Sequence, residues 1–188
     1  MKIFFTSDTH FGHSNIIEYC NRPFKNIEHM NKELIKRFNE RVKPEDSVFF
    51  LGDFCFKSGT NRGEGLPNKA DYYRQQLNCK NITFIMGNHD NNNSLKTIIE
   101  SLVIRYGGKW IKLVHSPDTQ YIETKYDLMF VGHVHQNWKF KRIKQGFGFV
   151  DLINVGVDVW NFYPVTFSEI IKQYSRWIKG KEKDDSIS

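Results

Sequence analysis

Hydrophobic positions along the chain follow two rhythms. Short unbroken apolar runs, of which Val48-Phe49-Phe50-Leu51 is the clearest, cannot alternate between a wet and a dry face and so predict strands buried on both sides. Similar runs at Lys2 to Thr6, Ile82 to Met86, Trp110 to Val114 and Leu128 to Val131 predict four more. Between them the spacing lengthens. Ile27, Met30, Leu34, Ile35 and Phe38 recur at helical intervals and predict an amphipathic helix through about Val42. Ser14 is an N-cap candidate for a short helix to about Cys20, which Pro23 stops, and further helices are expected at Asp71 to Leu77 and Ser94 to Leu102. Strands and helices thus alternate up to about residue 105.

The second half reads differently. Ile104 to Ile111 has the form of a hairpin whose Gly107-Gly108 turn accepts positive φ at both central positions. Trp138 to Ile143 and Phe147 to Val155 form a second antiparallel pair, and Phe167, Ile170, Ile171, Tyr174 and Ile178 stripe a closing helix over Thr166 to Ile178. The charged residues from Gly180 to Ser188 are expected to be a disordered tail. Lys57 to Asn68, rich in Gly and Asn, is the longest loop signal and has the character of a lid or wall. Without repeat or linker, residues 1–179 read as one α/β domain.

Composition adds bounds. At 188 residues and 39% hydrophobic the chain is long enough for one substantial core. Its three cysteines, Cys20, Cys55 and Cys79, are odd in number and irregular in spacing, which argues against a disulfide framework or a thiolate zinc site and fits a reducing, cytoplasmic setting. The N-terminus enters a strand without a leader, and no apolar run approaches the ~20 residues of a membrane helix. A soluble protein with no membrane partner is expected; oligomeric state is left open. The formal charge of +6 favours anionic partners through steering.

Chemistry gathers where the strands end. Asp8 and His10 follow the first, Asp53 the second, Asn88 and His89 the third, His115 the fourth, and His133 and His135 the fifth. Carboxyl ends of strands are where an open α/β sheet binds ligands. With His13, six of the seven histidines lie at or just beyond strand ends; only His29 sits on a helix. Imidazole, carboxylate and amide groups without thiolate suit Mn, Fe, Zn or Ni rather than calcium, which prefers oxygen throughout.

Taken in order, Asp8-x-His10, Gly52-Asp53, Gly87-Asn88-His89-Asp90, His115 and Gly132-His133-Val134-His135 resemble the five motifs of the calcineurin-like metallophosphoesterases. Asp8 to His13 and Asn154 to Asp158 are similar to a subgroup of small bacterial and phage phosphoesterases. The resemblance implies two mixed sheets packed face to face and flanked by helices. It implies two divalent transition-metal ions, Mn first, with Fe, Zn or Ni as alternatives. Asp8, His10 and His135 would hold one, Asn88, His115 and His133 the other, and Asp53 would bridge them. It further implies in-line attack on phosphorus by a hydroxide shared between the ions, with His89 donating a proton to the leaving oxygen or stabilising its charge.

The resemblance implies that the substrate is a phosphodiester or phosphomonoester, and a nucleotide or nucleic-acid-like ester is expected rather than a phosphoprotein. The protein phosphatases of the superfamily follow Gly-Asp with an Asp and Arg a few residues on, whereas Asp53 is followed by Phe54-Cys55-Phe56-Lys57. His13 is expected to contact a substrate oxygen from the start of the first helix, aided by Arg22 at its far end. The basic aromatic stretch Trp138 to Lys144 reads first as an amphipathic hairpin and second as a surface for a strand of nucleic acid. A non-catalytic scaffold and a nucleic-acid-binding module are the alternative readings of the same fold.

Overall fold

A computed structural model describes residues 1–56, 70–90, 95 and 97–185. The chain runs β1 (Ile3–Thr6), α1 (Ile16–Tyr19), α2 (Ile27–Arg41), β2 (Ser47–Leu51), α3 (Ala70–Gln75) and β3 (Asn81–Ile85) through its first half. There follow β4 (Ser101–Tyr106), β5 (Lys109–Val114), β6 (Leu128–Val131), β7 (Phe140–Gln145), β8 (Gly148–Asn154), β9 (Val165–Thr166) and α4 (Phe167–Asp185).

The strands form two mixed sheets, one ordered β3-β2-β1-β9 and the other β4-β5-β6-β8-β7. In the first, β1, β2 and β3 are parallel and β9 joins β1 antiparallel. Because side chains alternate across a strand, Phe4, Val48 and Phe50 face α2 and α3, where they pack with Met30, Leu34, Phe38 and Tyr73. Phe5, Leu51 and Ile85 face the other way and meet Ile111, Leu113, Leu128, Phe130 and Ile153 of the second sheet. That inter-sheet core is closed by Phe167, Ile170, Ile171 and Tyr174 of α4. The far face of the second sheet is covered by Tyr121 and Ile122 of a strap that includes a single 3-10 turn, Thr119–Tyr121.

Several expectations are corrected. Residues 97–100 are not helical, and Ser101 begins β4, whose alternating burial and pairing with β5 outweigh helical spacing. Ser14 caps nothing: α1 is one turn, with Asn15 in the cap position and no side-chain cap bond. The charged tail is helical as far as Asp185, since Lys and Glu are good helix formers and α4 is already nucleated by its apolar face. The two-residue β9 carried no sequence signal. The loop from Lys57 to Asn68 lies outside the described residues.

Candidate metal centre

The candidate site is built on the edge where β1, β2 and β3 of one sheet and β5 and β6 of the other all end. The loops after β1 and β2 are laced together: Asp8 N donates to Gly52 O, His10 N to Asp53 O and Phe11 N to Phe54 O, each at 3.0 Å. Asp8, His10, Asp53, His133 and His135 all take left-handed conformations, with φ of 60°, 50°, 54°, 70° and 48°. For non-glycine residues that costs about 1–3 kcal/mol each, and such strain concentrates at functional sites. Three glycines let backbone close on the carboxylates. A Cβ at Gly87 would stand 2.3 Å from Asp53 N and Oδ1, and one at Gly132 or Gly156 would stand 2.6 or 2.9 Å from Asp8 Oδ2.

This geometry brings the predicted side chains into two clusters. Asp8, His10 and His135 form one and Asp53, His115 and His133 the other, ligand atoms within each lying no more than 4.8 Å apart. Asp53 stands between them, its Oδ2 3.4 Å from His10 Nε2 and 3.3 Å from His115 Nε2. Asn88 Oδ1 lies 3.0 Å from both His115 Nε2 and His133 Nδ1. His89 anchors to Asp53 through its backbone N–H, at 2.9 Å from Oδ1, and its ring also reaches the Asp53 and His10 cluster.

Residues without an assigned role in the sequence reading hold these groups in place. Asp90 accepts hydrogen bonds from the backbone N–H groups of Asp53, Phe54 and Gly87, tying the second and third loops together. Asp8 accepts from Ser7 Oγ and His133 N. Asp158 meets His135 Nδ1 at 3.0 Å. Asn154 Nδ2 donates to the carbonyl of His135 at 2.7 Å. The only sequence signal for the last two was their place in the Asn154 to Asp158 stretch.

Arg22 is a correction. It does not face a substrate: the residue is 4% exposed and its guanidinium donates to Asp158, Thr9 O and Asp8 O beneath the first loop. Its role is to clamp that loop and to orient the carboxylate that meets His135. His13 is half-buried and its ring contacts are aromatic, with Phe56 at 3.9 Å between centroids, His10 at 5.7 Å and His89 at 6.3 Å. The one-turn α1 offers it no anion-binding helix terminus. Burial pulls its pKa down to about 4, so the ring is neutral at pH 7.

The electrostatics of the centre ask for cations. Asp8 and Asp53 are 0% and 1% exposed. Burial raises the pKa of Asp8. Burial also opposes ionisation of Asp53, but His115, by hydrogen bond and charge, and His10 by charge hold it below the usual carboxylate range. Burial would lower His115 and His135 too. Asp53 instead lifts His115 to about 9, and Asp158 is the main group lifting His135 to about 10. His10 is the exception. Burial holds it well below its ordinary value, and both of its ring nitrogens are buried without a hydrogen-bond partner among the described residues. An unpaired buried nitrogen costs roughly 1–3 kcal/mol, which a metal–nitrogen bond would offset. The donor set of imidazole, carboxylate and amide fits a divalent transition metal.

Lys139 lies 4.1 Å over the Trp160 ring, Lys141 lies 5.8 Å over Trp138, and Arg142 pairs with Asp151. No helix among the described residues is long and apolar enough to cross a membrane.

A family model for the calcineurin-like phosphoesterase superfamily domain matches residues 1–160. An uncharacterized protein of Methanocaldococcus jannaschii, MJ1445, is 41% identical over 177 residues, which cover 91% of this chain and 90% of that protein. The crystal structure of AQ665, a protein of unknown function from Aquifex aeolicus, aligns with a TM-score of 0.62 at 25% identity, covering 92% of this chain and 98% of that one. An archaeal phosphodiesterase aligns over 83% of this chain and 84% of its own, at 20% identity and a TM-score of 0.44.

Proposed function

The chain belongs to the calcineurin-like phosphoesterase superfamily, and on that premise we propose that it hydrolyses phosphate esters with the help of two divalent transition-metal ions. Asp8, His10 and His135 would hold one ion, Asn88, His115 and His133 the other, and Asp53 both. The observation that carries this reading is His10, buried beside two buried carboxylates with neither ring nitrogen in a hydrogen bond among the described residues, although Nε2 lies 3.4 Å from Asp53 Oδ2. When bound, the ions supply Lewis acidity toward phosphoryl oxygens and lower the pKa of water, with Mn the first candidate.

The chain's own residues do the rest. Asp53, held by Asp90 through the backbone, would supply negative charge to offset the repulsion between two bound dications. His89 is fastened to Asp53 by its N–H, which leaves the imidazole free to give a proton to the leaving oxygen or to stabilise its charge. His13, neutral and in tilted ring contact with Phe56, flanks that ring and is assigned a contact with a substrate oxygen. After Asp53 the chain turns inward, with Phe54 0% and Cys55 1% exposed, so those two positions cannot present a phosphate-gripping side chain. A small phosphodiester or phosphomonoester, nucleotide-like rather than phosphoprotein, fits this better.

The test is a panel of aryl phosphomonoesters, linear diesters and cyclic nucleotides assayed with Mn, then with chelator. Turnover that chelator abolishes and Mn restores is expected. Metal-replete protein inactive on the whole panel would overturn the reading.

A further inference from the structure

His135 stands between two candidate ligand sets. On one side lie Asp8 and His10, on the other Cys20 and Asp158, and in each set the ligand atoms are within 4.8 Å of one another. Thiolate, imidazole and carboxylate together suit a thiophilic ion such as zinc or cadmium at least as well as the set without sulfur. The fold has to decide which side of the ring takes the ion.

A hydrogen bond decides which nitrogen is offered. Asp158 Oδ2 lies 3.0 Å from His135 Nδ1, and Asn154 Nδ2 holds the His135 carbonyl at 2.7 Å. With Nδ1 committed to the carboxylate, Nε2 is the nitrogen left for a metal. His115 is arranged in the same way around a neutral acceptor. Its Nδ1 meets Leu51 O at 2.7 Å, while its Nε2 faces Asn88 Oδ1 at 3.0 Å and Asp53 Oδ2 at 3.3 Å.

Charge decides the side. Arg22 Nε lies 2.8 Å from Asp158 Oδ1 and Arg22 Nη2 lies 2.9 Å from Oδ2, so both carboxylate oxygens are engaged. The two side chains are 0% and 2% exposed, where salt and water screen little. Nη1 also donates to Thr9 O at 3.0 Å and Nη2 to Asp8 O at 2.7 Å, which stops the guanidinium from swinging away. A dication on the Cys20 side would therefore meet a fixed positive charge and a carboxylate already neutralised. On the other side it would meet Asp8 and Asp53, which form ion pairs only with histidines among the described residues.

From this we infer that the Arg22–Asp158 pair is a selector: it fixes His135 with Nε2 toward Asp8 and His10, and it keeps a thiophilic ion off Cys20. Both members are positioning residues that act on the metal through His135. The inference rests on the assignment of His135 as a ligand and adds what determines its ligand atom. Its test needs no turnover and is separate from the question of hydrolysis.

The test uses the full chain with two ions. Mn affinity is measured by calorimetry, and Cd is added to read thiolate ligation from the sulfur-to-cadmium charge-transfer absorption. Wild type is expected to bind Cd with no band that Cys20→Ser removes. Arg22→Met should acquire such a band, whereas Arg22→Lys, which keeps the charge, should resemble wild type. Asp158→Asn should bind Mn about 10- to 100-fold more weakly at one site, the usual effect of losing the partner of a ligating histidine. A pair that merely propped the loop would lower the Tm of these variants without moving either the band or the affinity. A Cys20-dependent band in wild type, no band in folded Arg22→Met, or unchanged Mn affinity in Asp158→Asn overturns the selector. If Arg22→Met does not fold, the wild-type spectrum and Asp158→Asn decide. Wild type that takes up neither ion overturns the metal-centre reading itself, and the selector with it.

Discussion

The two ends of β1 and β2 treat buried polar groups in opposite ways. At their amino ends Asp46 is 3% exposed and fully served by the chain: its carboxylate accepts from Lys2 N at 2.6 Å and Lys43 N at 2.9 Å. At their carboxyl ends Asp8, His10 and Asp53 are as deeply buried, yet His10 has no hydrogen-bond partner among the described residues and all three adopt left-handed backbone. A polar group that the fold satisfies by itself contributes to stability. One that the fold buries, strains and leaves unserved has been arranged for something the chain does not contain. On that contrast the carboxyl edge is the proposed working end and the amino edge the structural one.

The sharpest way to break the contrast is to remove the central charge of the working end. Asp53→Asn is expected to lose metal, read by elemental analysis, and to lower kcat/KM on the order of 10³-fold. His89→Ala should lower the rate by about 10²-fold or more with metal content unchanged. Equal metal loss in both variants would make His89 a ligand or a prop, which its reach toward the Asp53 and His10 cluster makes a direct question.

Backbone approach is the next test. The Gly87→Ala methyl would meet Asp53 N and Oδ1 at 2.3 Å, and the neighbour is backbone that cannot step aside. An overpacking cost of about 1–3 kcal/mol is expected, together with weaker metal binding, because the displaced group is Asp53 itself. Thermal unfolding with and without Mn measures both. If Mn stabilises the variant as strongly as wild type, the glycine serves packing and not the centre.

His13 probes the rim of the working end. With α1 a single turn, a substrate contact has to come from the neutral ring that rests on Phe56 and not from a helix terminus. His13→Ala should lower kcat/KM by about 10- to 100-fold at unchanged metal content. Recovery of activity in excess Mn would assign the ring to supporting a ligand instead.

How much of this was legible in the sequence divides along the same line. Apolar runs ending in Asp, Asn or His announced the working edge, because a doubly buried strand has no other place to present polar chemistry. The ordered motifs then placed Asp8, His10, Asp53, Asn88, His115, His133 and His135 on that edge, where the structure brings them together. Contacts that cross the fold were not legible. Arg22 and Asp158 are 136 positions apart, and nothing in the spacing of either reveals that they clamp one loop. The Gly107-Gly108 hairpin was legible from Ile104 on, but the start of β4 was hidden, its Ser101 and Leu102 read as the end of a helix, because the strand alternates only once its partner β5 defines the faces; β9 was hidden because two residues carry no period.

The smallest expected effect comes from the structural end, and its value lies in what it leaves alone. Burial by itself would raise the pKa of Asp46, but the N–H groups of Lys43 and Lys2, with the positive charge of the N-terminus and of Lys2, bring it below the ordinary 3.8. A carboxylate whose folded pKa is depressed adds stability that is fully present above its unfolded pKa. That stability is lost as pH falls through the folded value. Asp46→Asn keeps the shape and removes the charge, so one of the two backbone donors loses a strong acceptor. The expected cost near neutral pH is about 1–2 kcal/mol, a Tm lowered by about 2–8 °C for a chain of this size. The gap between wild type and variant should stay constant from pH 7 to about 5 and narrow below about pH 4, the range of an unperturbed aspartate. Metal content and kcat/KM should not move, because Asp46 lies at the opposite end of β2 from Asp53. A variant that keeps its Tm but loses metal would mean that the amino edge transmits to the centre, and the division between a structural and a working end would have to be abandoned.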